Sequence, residues 1–140
     1  MAELRSRYQG CPTGSAVITA SGRLAERGVS WVIHAVGPIW RGGRAEEKAH
    51  LRSAYQTALR LADEAGARSV AFPAISCGVY GYPLDLAAAV ALRSVGDGLA
   101  SAGTVERAVF VMFDDRAFEA FRRALADLSG GSSGVRARRT

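Results

Sequence analysis

The sequence is poor in the residues that most phosphate-binding and metal-binding chemistries require. Of its 18 basic residues only Lys48 is a lysine, so a Walker-type loop, whose lysine reaches the outer phosphates, has no candidate. The two histidines, His34 and His50, and the two cysteines, Cys11 and Cys77, stand apart with no C-x-x-C spacing. That arrangement argues against zinc, and no metal is expected. Isolated thiols of this kind read as reduced, and the predicted location is cytoplasmic. No apolar run approaches the roughly eighteen residues that cross a bilayer, and no charged-then-apolar leader opens the chain. No membrane partner is therefore expected.

What is present has the balance of an ordinary globular protein. At 140 residues, 49% hydrophobic and 22% charged, the chain is about one domain long and too apolar for extensive disorder. The formal net charge of +5 is largely a property of the end of the chain, which holds Arg136, Arg138 and Arg139 and no acid after Ser129. The remainder shows no single-sign helix face and no stripe of aromatic and basic residues, which argues against nucleic acid as a partner. A folded domain is expected over residues 1–128, followed by a flexible Arg-rich tail over 129–140 that opens with G-G-S-S-G.

Hydrophobic periodicity divides the body into alternating apolar runs and amphipathic stretches. Residues 1–9 read as the end of a helix stopped by Gly10, Pro12 and Gly14. Strands are predicted over residues 15–20, 30–36, 69–75 and 107–113. A polar turn around Gly22 and Gly28 separates the first two. Between the others, residues 44–65 carry Leu51, Tyr55, Ala58, Leu59 and Ala62 on one helical face, with Gly66 as the stop. Pro83 and Asp85 open a second helix, expected to dissolve at Gly96 and Gly98. Asp114 is placed to cap a last helix with Phe118, Phe121, Leu125 and Leu128 on its apolar face. Strands alternating with helices predict an α/β fold with a largely parallel sheet, and near-continuous apolar strands predict burial on both sheet faces.

In such folds ligands collect where strands end and helices begin. The stretch Ser76-Cys77-Gly78-Val79-Tyr80-Gly81 follows a predicted strand and precedes a Pro-started helix. Its glycines let the backbone turn sharply and aim several N–H groups at one point, which would suit a phosphate without a lysine. The plainer reading is a connecting loop whose glycines serve the turn alone. Reading Ala74-Ile75-Ser76-Cys77-Gly78 as a variant nucleophile elbow fails because no histidine lies downstream of Ser76. Cys77 as a nucleophile would need a base beside it.

Three segments taken together resemble the macro domain family, in the branch that acts on ADP-ribose and its derivatives. They are Gly10-Cys11-Pro12-Thr13-Gly14-Ser15-Ala16, Trp31-Val32-Ile33-His34-Ala35-Val36-Gly37-Pro38, and Phe72-Pro73-Ala74-Ile75-Ser76-Cys77-Gly78-Val79-Tyr80-Gly81-Tyr82-Pro83. The match keeps the family's order from about residue 4 to residue 128. The resemblance implies a three-layer α/β/α macro-like fold with a mostly parallel central sheet. It implies that Ser76, Cys77, Gly78, Val79, Tyr80 and Gly81 bind a diphosphate and the distal ribose, that Tyr80 covers that ribose, and that Phe113 packs against the adenosine end. Gly37 and Pro38 would shape the cleft mouth, His34 would be a core residue and His50 a surface one. The implied partner is ADP-ribose or an ADP-ribosylated protein, with no cofactor. The implied activity is hydrolysis of ADP-ribosyl or O-acetyl-ADP-ribose esters. The alternatives are a non-catalytic reader of ADP-ribose and an inactive, truncated domain.

One departure from the family is plain in the residues. Its opening strand, an Asn-Ala-Ala-Asn segment and a first glycine-rich loop with an Asp have no counterpart in this chain. The catalytic residues are therefore unassigned, and the expectation is of an N-terminally incomplete domain, either because its start lies inside a longer reading frame or because the chain is a fragment, with completion of the fold by a partner as the third alternative.

Overall fold

A computed structural model describes residues 12–128 and the backbone of 135–139. The predicted helix end over residues 1–9, and Gly10 and Cys11 after it, lie outside the described residues. Strand β1, Ala16–Ala20, pairs antiparallel with β2, Trp31–Ala35, in a register that sets Val17 opposite His34. Their connection is not only a turn: Gly22–Arg27 forms a 3-10 helix that Gly28 ends at φ 82°, a left-handed conformation that glycine adopts without steric cost. Helix α1, Glu47–Glu64, follows, then β3, Ser69–Phe72, and α2, Leu84–Ser101. Strand β4, Arg107–Met112, and helix α3, Asp115–Asp127, complete the predicted set. The Asp114 side chain caps α3, accepting the Ala117 N–H at 2.8 Å, as its position before the apolar face predicted.

Strands β3, β4 and β5 run parallel in that order. Here β5 is Val135–Arg139, a strand inside the segment expected as a flexible tail over residues 129–140, the rest of which lies outside the described residues. Composition marks a segment as poor at building a core, but a backbone of any composition can pair with an open strand edge, and β4 offers one. Two other boundaries move for local reasons. Strand β3 stops at Phe72 rather than Ile75, because Pro73 has no N–H for the ladder. Helix α2 runs through Gly96 and Gly98 to Ser101. A Cβ on Gly98 would lie 2.5 Å from Leu59 Cδ2, so this glycine permits α1 and α2 to approach closely instead of ending the helix.

The core forms where α1 and α3 meet β3 and β4. Phe72 and Phe110 stack with ring centres 5.5 Å apart; Tyr55 of α1 meets Phe72 at 5.5 Å and Phe121 of α3 meets Phe110 at 5.4 Å. Burial alternates along β4, with Ala108, Phe110 and Met112 buried and Val109 and Val111 only partly so. Among the described residues the two faces of this strand are thus unequal, where its apolar sequence predicted both to be buried. The C-terminal ends of β2, β3 and β4 all open toward the segment that follows β3.

Candidate functional site

Residues 73–83, between β3 and α2, are held from below by a buried phenol. The Tyr55 hydroxyl donates to the Pro73 carbonyl at 3.1 Å and accepts the Ile75 N–H at 3.0 Å. Burial raises this hydroxyl well above the usual phenol range, so it stays a neutral donor and acceptor at any ordinary pH. Beyond Ile75 the chain turns sharply. Ser76 takes φ 68° and Gly81 φ 72°; the Cys77 N–H donates to Ala74 O, that of Gly81 to Gly78 O, and that of Tyr82 to Ser76 O. The N–H groups of Gly78, Val79 and Tyr80 have no partner among the described residues. Pro83 then sits at the N-cap of α2, with Asp85 in the first turn.

This arrangement brings most of the sequence-predicted site residues together. Gly78 lines an apolar cavity of about 330 Å³ with Pro73, Ala74, Val111, Met112 and Phe113. Tyr80 lines a second cavity of about 230 Å³, whose wall includes Gly37, Pro38, Arg41 and His50. The glycine loop is the ridge between the two. Phe113 is 59% exposed, Tyr80 42% and Val79 fully exposed at the tip. A groove of about 660 Å³ lies elsewhere, between α1 and α2, where Arg52 and Asp97 pair across it at 2.9 Å.

Two residues of the loop carry signs of constraint. Ser76 holds a left-handed backbone that costs a non-glycine residue on the order of 1–2 kcal/mol, and its buried Oγ has no hydrogen-bond partner among the described residues. Such features persist where the surrounding structure enforces them. Gly37 leaves room for this arrangement, since a Cβ there would lie 2.3 Å from Ser76 Oγ and 2.4 Å from Ile75 Cγ2. Cys77 is partly buried with Sγ 3.6 Å from Ile75 O, and burial pushes its thiol up to about 11. A thiol so disposed is a poor nucleophile at neutral pH.

The histidines divide. His34 Nε2 lies 3.1 Å from Thr19 Oγ1 across the β1–β2 ladder, half-buried and away from both cavities. His50, expected on the solvated surface, is half-buried and lines the cavity shared with Tyr80.

Sequence reasoning missed the segment that braces the loop from the side. The carboxylate of Glu47 is fully buried at the start of α1 and accepts three backbone N–H groups: Arg41 at 2.7 Å, Gly43 at 2.8 Å and Ala45 at 2.7 Å. Residues 41–46 wind round it with Gly42, Gly43 and Glu46 at φ 83°, 88° and 59°. Burial alone would raise this carboxyl, but the N–H groups of Arg41, Glu47 itself, Gly43 and Ala45 outweigh it and bring it down to about 2. Trp40 leaves the same segment, donates its N–H to Tyr80 O at 2.9 Å and packs its ring on Tyr82 with centres 4.7 Å apart. The readable signal was the pair of glycines before Glu46-Glu47, which marks a backbone wound into positive φ.

Comparison with known proteins agrees with the geometry. The family model for the Macro domain matches residues 1–91. Macro domain-containing protein TTE0995 of Caldanaerobacter subterraneus subsp. tengcongensis is 46% identical over 125 residues, 89% of this chain and 69% of that protein. An O-acetyl-ADP-ribose deacetylase of Klebsiella pneumoniae strain 342 is 48% identical over 116 residues, 83% of this chain and 65% of that protein. The Oceanobacillus iheyensis macrodomain, solved with ADP, superposes with a TM-score of 0.80 at 32% identity, covering 91% of this chain and 66% of that one. This chain belongs to the macro domain family and has its α/β fold, and it spans about two thirds of the length of these relatives.

Proposed function

We propose that the chain binds ADP-ribose or a closely related metabolite across the glycine loop. The observation that carries this reading is the run of N–H groups on Gly78, Val79 and Tyr80 that nothing among the described residues engages, at the entry to α2 and between two cavities. Preorganised N–H groups at a helix start are an anion site that needs no lysine. Each charge-assisted bond to a diphosphate contributes roughly 1.5–3 kcal/mol, so a few of them support binding of about micromolar strength after the cost of association.

In this reading the backbone of Ser76, Cys77, Gly78, Val79, Tyr80 and Gly81 holds the diphosphate and the distal ribose. Tyr80 covers that ribose, and Phe113 packs against the adenosine end beside the apolar cavity. The similarity to O-acetyl-ADP-ribose deacetylases supports ester hydrolysis at the distal ribose as the activity this grip serves. The contribution of the loop is to position the ribose and to stabilise charge near it. No base is assigned to it, since its thiol is held protonated.

The test is calorimetry with ADP-ribose on the unaltered protein and on Gly78→Glu. A Cβ on Gly78 meets nothing within 4 Å, so the variant is expected to fold while its carboxylate occupies the anion site. Binding by the unaltered chain and its loss, by about a hundredfold or more, in Gly78→Glu is the expected result. Equal binding by both would discard the loop as the site. Acetate release from O-acetyl-ADP-ribose separates a hydrolase from a non-catalytic reader.

A further inference from the structure

We propose that Glu47 is a positioning residue for the glycine loop, acting through residues 41–45 and Trp40 to set where Tyr80 lies. The inference rests on the reading of residues 76–81 as the ligand loop, and it assigns a role to a residue that lines the smaller cavity but whose carboxylate oxygens are already engaged by backbone N–H groups. The chain of contact is continuous. Oε2 of Glu47 takes the N–H groups of Arg41 and Gly43, and Oε1 that of Ala45. The segment so fixed presents Trp40, whose N–H holds Tyr80 O and whose ring lies on Tyr82. Tyr82 in turn donates its N–H to Ser76 O, so both ends of the loop are tied to the residue that Glu47 anchors.

The chemistry of the side chain decides why a carboxylate stands here. Three N–H donors converge on two oxygens, each donor within 2.8 Å, and a buried donor without an acceptor is costly. Glutamine keeps the size but offers one oxygen and puts an NH₂ group where Glu47 presents its second. At least one N–H then faces a donor, and the 41–45 segment has to move. Gly43 of the same segment lies against the Trp40 ring, a Cβ there being 3.3 Å from Cη2.

Asp63, at the far end of α1, provides an internal control. Its carboxylate is also wrapped in backbone N–H groups, those of Gly103, Thr104 and Val105 at 3.0, 2.6 and 2.9 Å. Their sixteen-position separation in sequence places the two acids roughly 24 Å apart along the helix. Both variants, Glu47→Gln and Asp63→Asn, are expected to destabilise the fold, but only the first removes a support of the ligand loop.

The experiment uses the full chain with and without ADP-ribose, at a temperature where all variants are folded. Hydrogen exchange on the free protein is expected to speed up in residues 76–82 for Glu47→Gln and to stay unchanged there for Asp63→Asn. In a Trp31→Phe background, which leaves Trp40 as the reporter, Glu47→Gln shifts emission to the red and raises quenching by acrylamide. Affinity for ADP-ribose falls about tenfold in Glu47→Gln, and Gly43→Ala, strained at φ 88°, gives a weaker version of the same loss with no change of charge. Unchanged exchange in 76–82 with an unchanged Trp40 signal overturns the proposal, as does equal loosening of that loop in Asp63→Asn. If the unaltered chain fails to bind ADP-ribose the ligand reading falls, while the exchange and emission of the free protein still decide whether Glu47 positions the loop.

Discussion

At the scale of single residues, acid groups wrapped in backbone donors give the fold its sharpest pH dependence. Glu47 titrates at about 2 in the folded chain against an ordinary value of 4.5, so the folded state holds the deprotonated form more strongly than the unfolded one. The stabilisation this supplies is complete above about pH 4.5 and is lost as pH falls toward 2. Asp63 is depressed by the N–H groups of Val105, Gly103 and Thr104 and by the Thr104 hydroxyl, against a smaller opposing effect of burial, and its contribution has the same sign. Tyr82, beside Glu47, moves the other way, raised by burial and then by the charges of Glu47 and Cys77. The expected outcome is that urea unfolding, followed from about pH 6 down to about pH 2.5, shows a fall in stability beginning near pH 4.5. The fall is shallower in Glu47→Gln, which has no proton to take up at that position. Parallel pH profiles for the two proteins would remove Glu47 from this account.

At the scale of elements, the close crossing of α1 and α2 is predicted to resist any side chain at Gly98. Valine there puts its Cβ within 2.5 Å of the buried Leu59 side chain, and overpacking of this kind costs about 1–3 kcal/mol. Thermal unfolding of Gly98→Val should show a midpoint lower by several degrees, and a midpoint at or above that of the unaltered chain would mean that the helices do not meet there. This glycine also marks where sequence reasoning stopped working. Periodicity located all four strands and three helices of the body, because apolar spacing reports which face of an element is buried. It misread Gly98 as a helix end, since a glycine that admits a neighbour and one that breaks a helix look alike until the neighbour is known. The glycine loop was legible for a different reason: a Gly-rich segment between an apolar strand and a proline-started helix follows from local backbone chemistry alone. Glu47, Trp40 and Tyr55 were not legible as supports of that loop. Their spacing marks only one face of α1 and the segment before it, and their contacts with residues 73–82 span some 20–40 positions of sequence.

At the scale of the whole molecule, the described sheet is in two parts, β1–β2 and β3–β4–β5, and the cleft that holds the candidate site opens over the ends of β2, β3 and β4. The second part depends on a strand that composition assigned to a tail. Residues 135–139 pair along β4 from Ala108 to Met112, the same strand whose end carries Met112 and Phe113 into the apolar cavity. Ending the chain after Leu128 would leave that edge of β4 without its ladder. The net value of several backbone hydrogen bonds, set against the entropy of ordering a short segment, amounts to about 1–2 kcal/mol. The shortened protein is therefore expected to unfold at a lower denaturant concentration and, with an edge exposed, to self-associate as its concentration rises. Its ADP-ribose affinity should change little where it remains folded, because the loop between β3 and α2 is braced from α1 and from residues 37–46 rather than from β5. Denaturant titration and light scattering on the full and shortened chains test both parts. If the shortened chain is as stable and as monodisperse as the full one, the arginine-rich end is the tail its composition suggested, and the stability of the cleft rests on β3, β4 and the three helices alone.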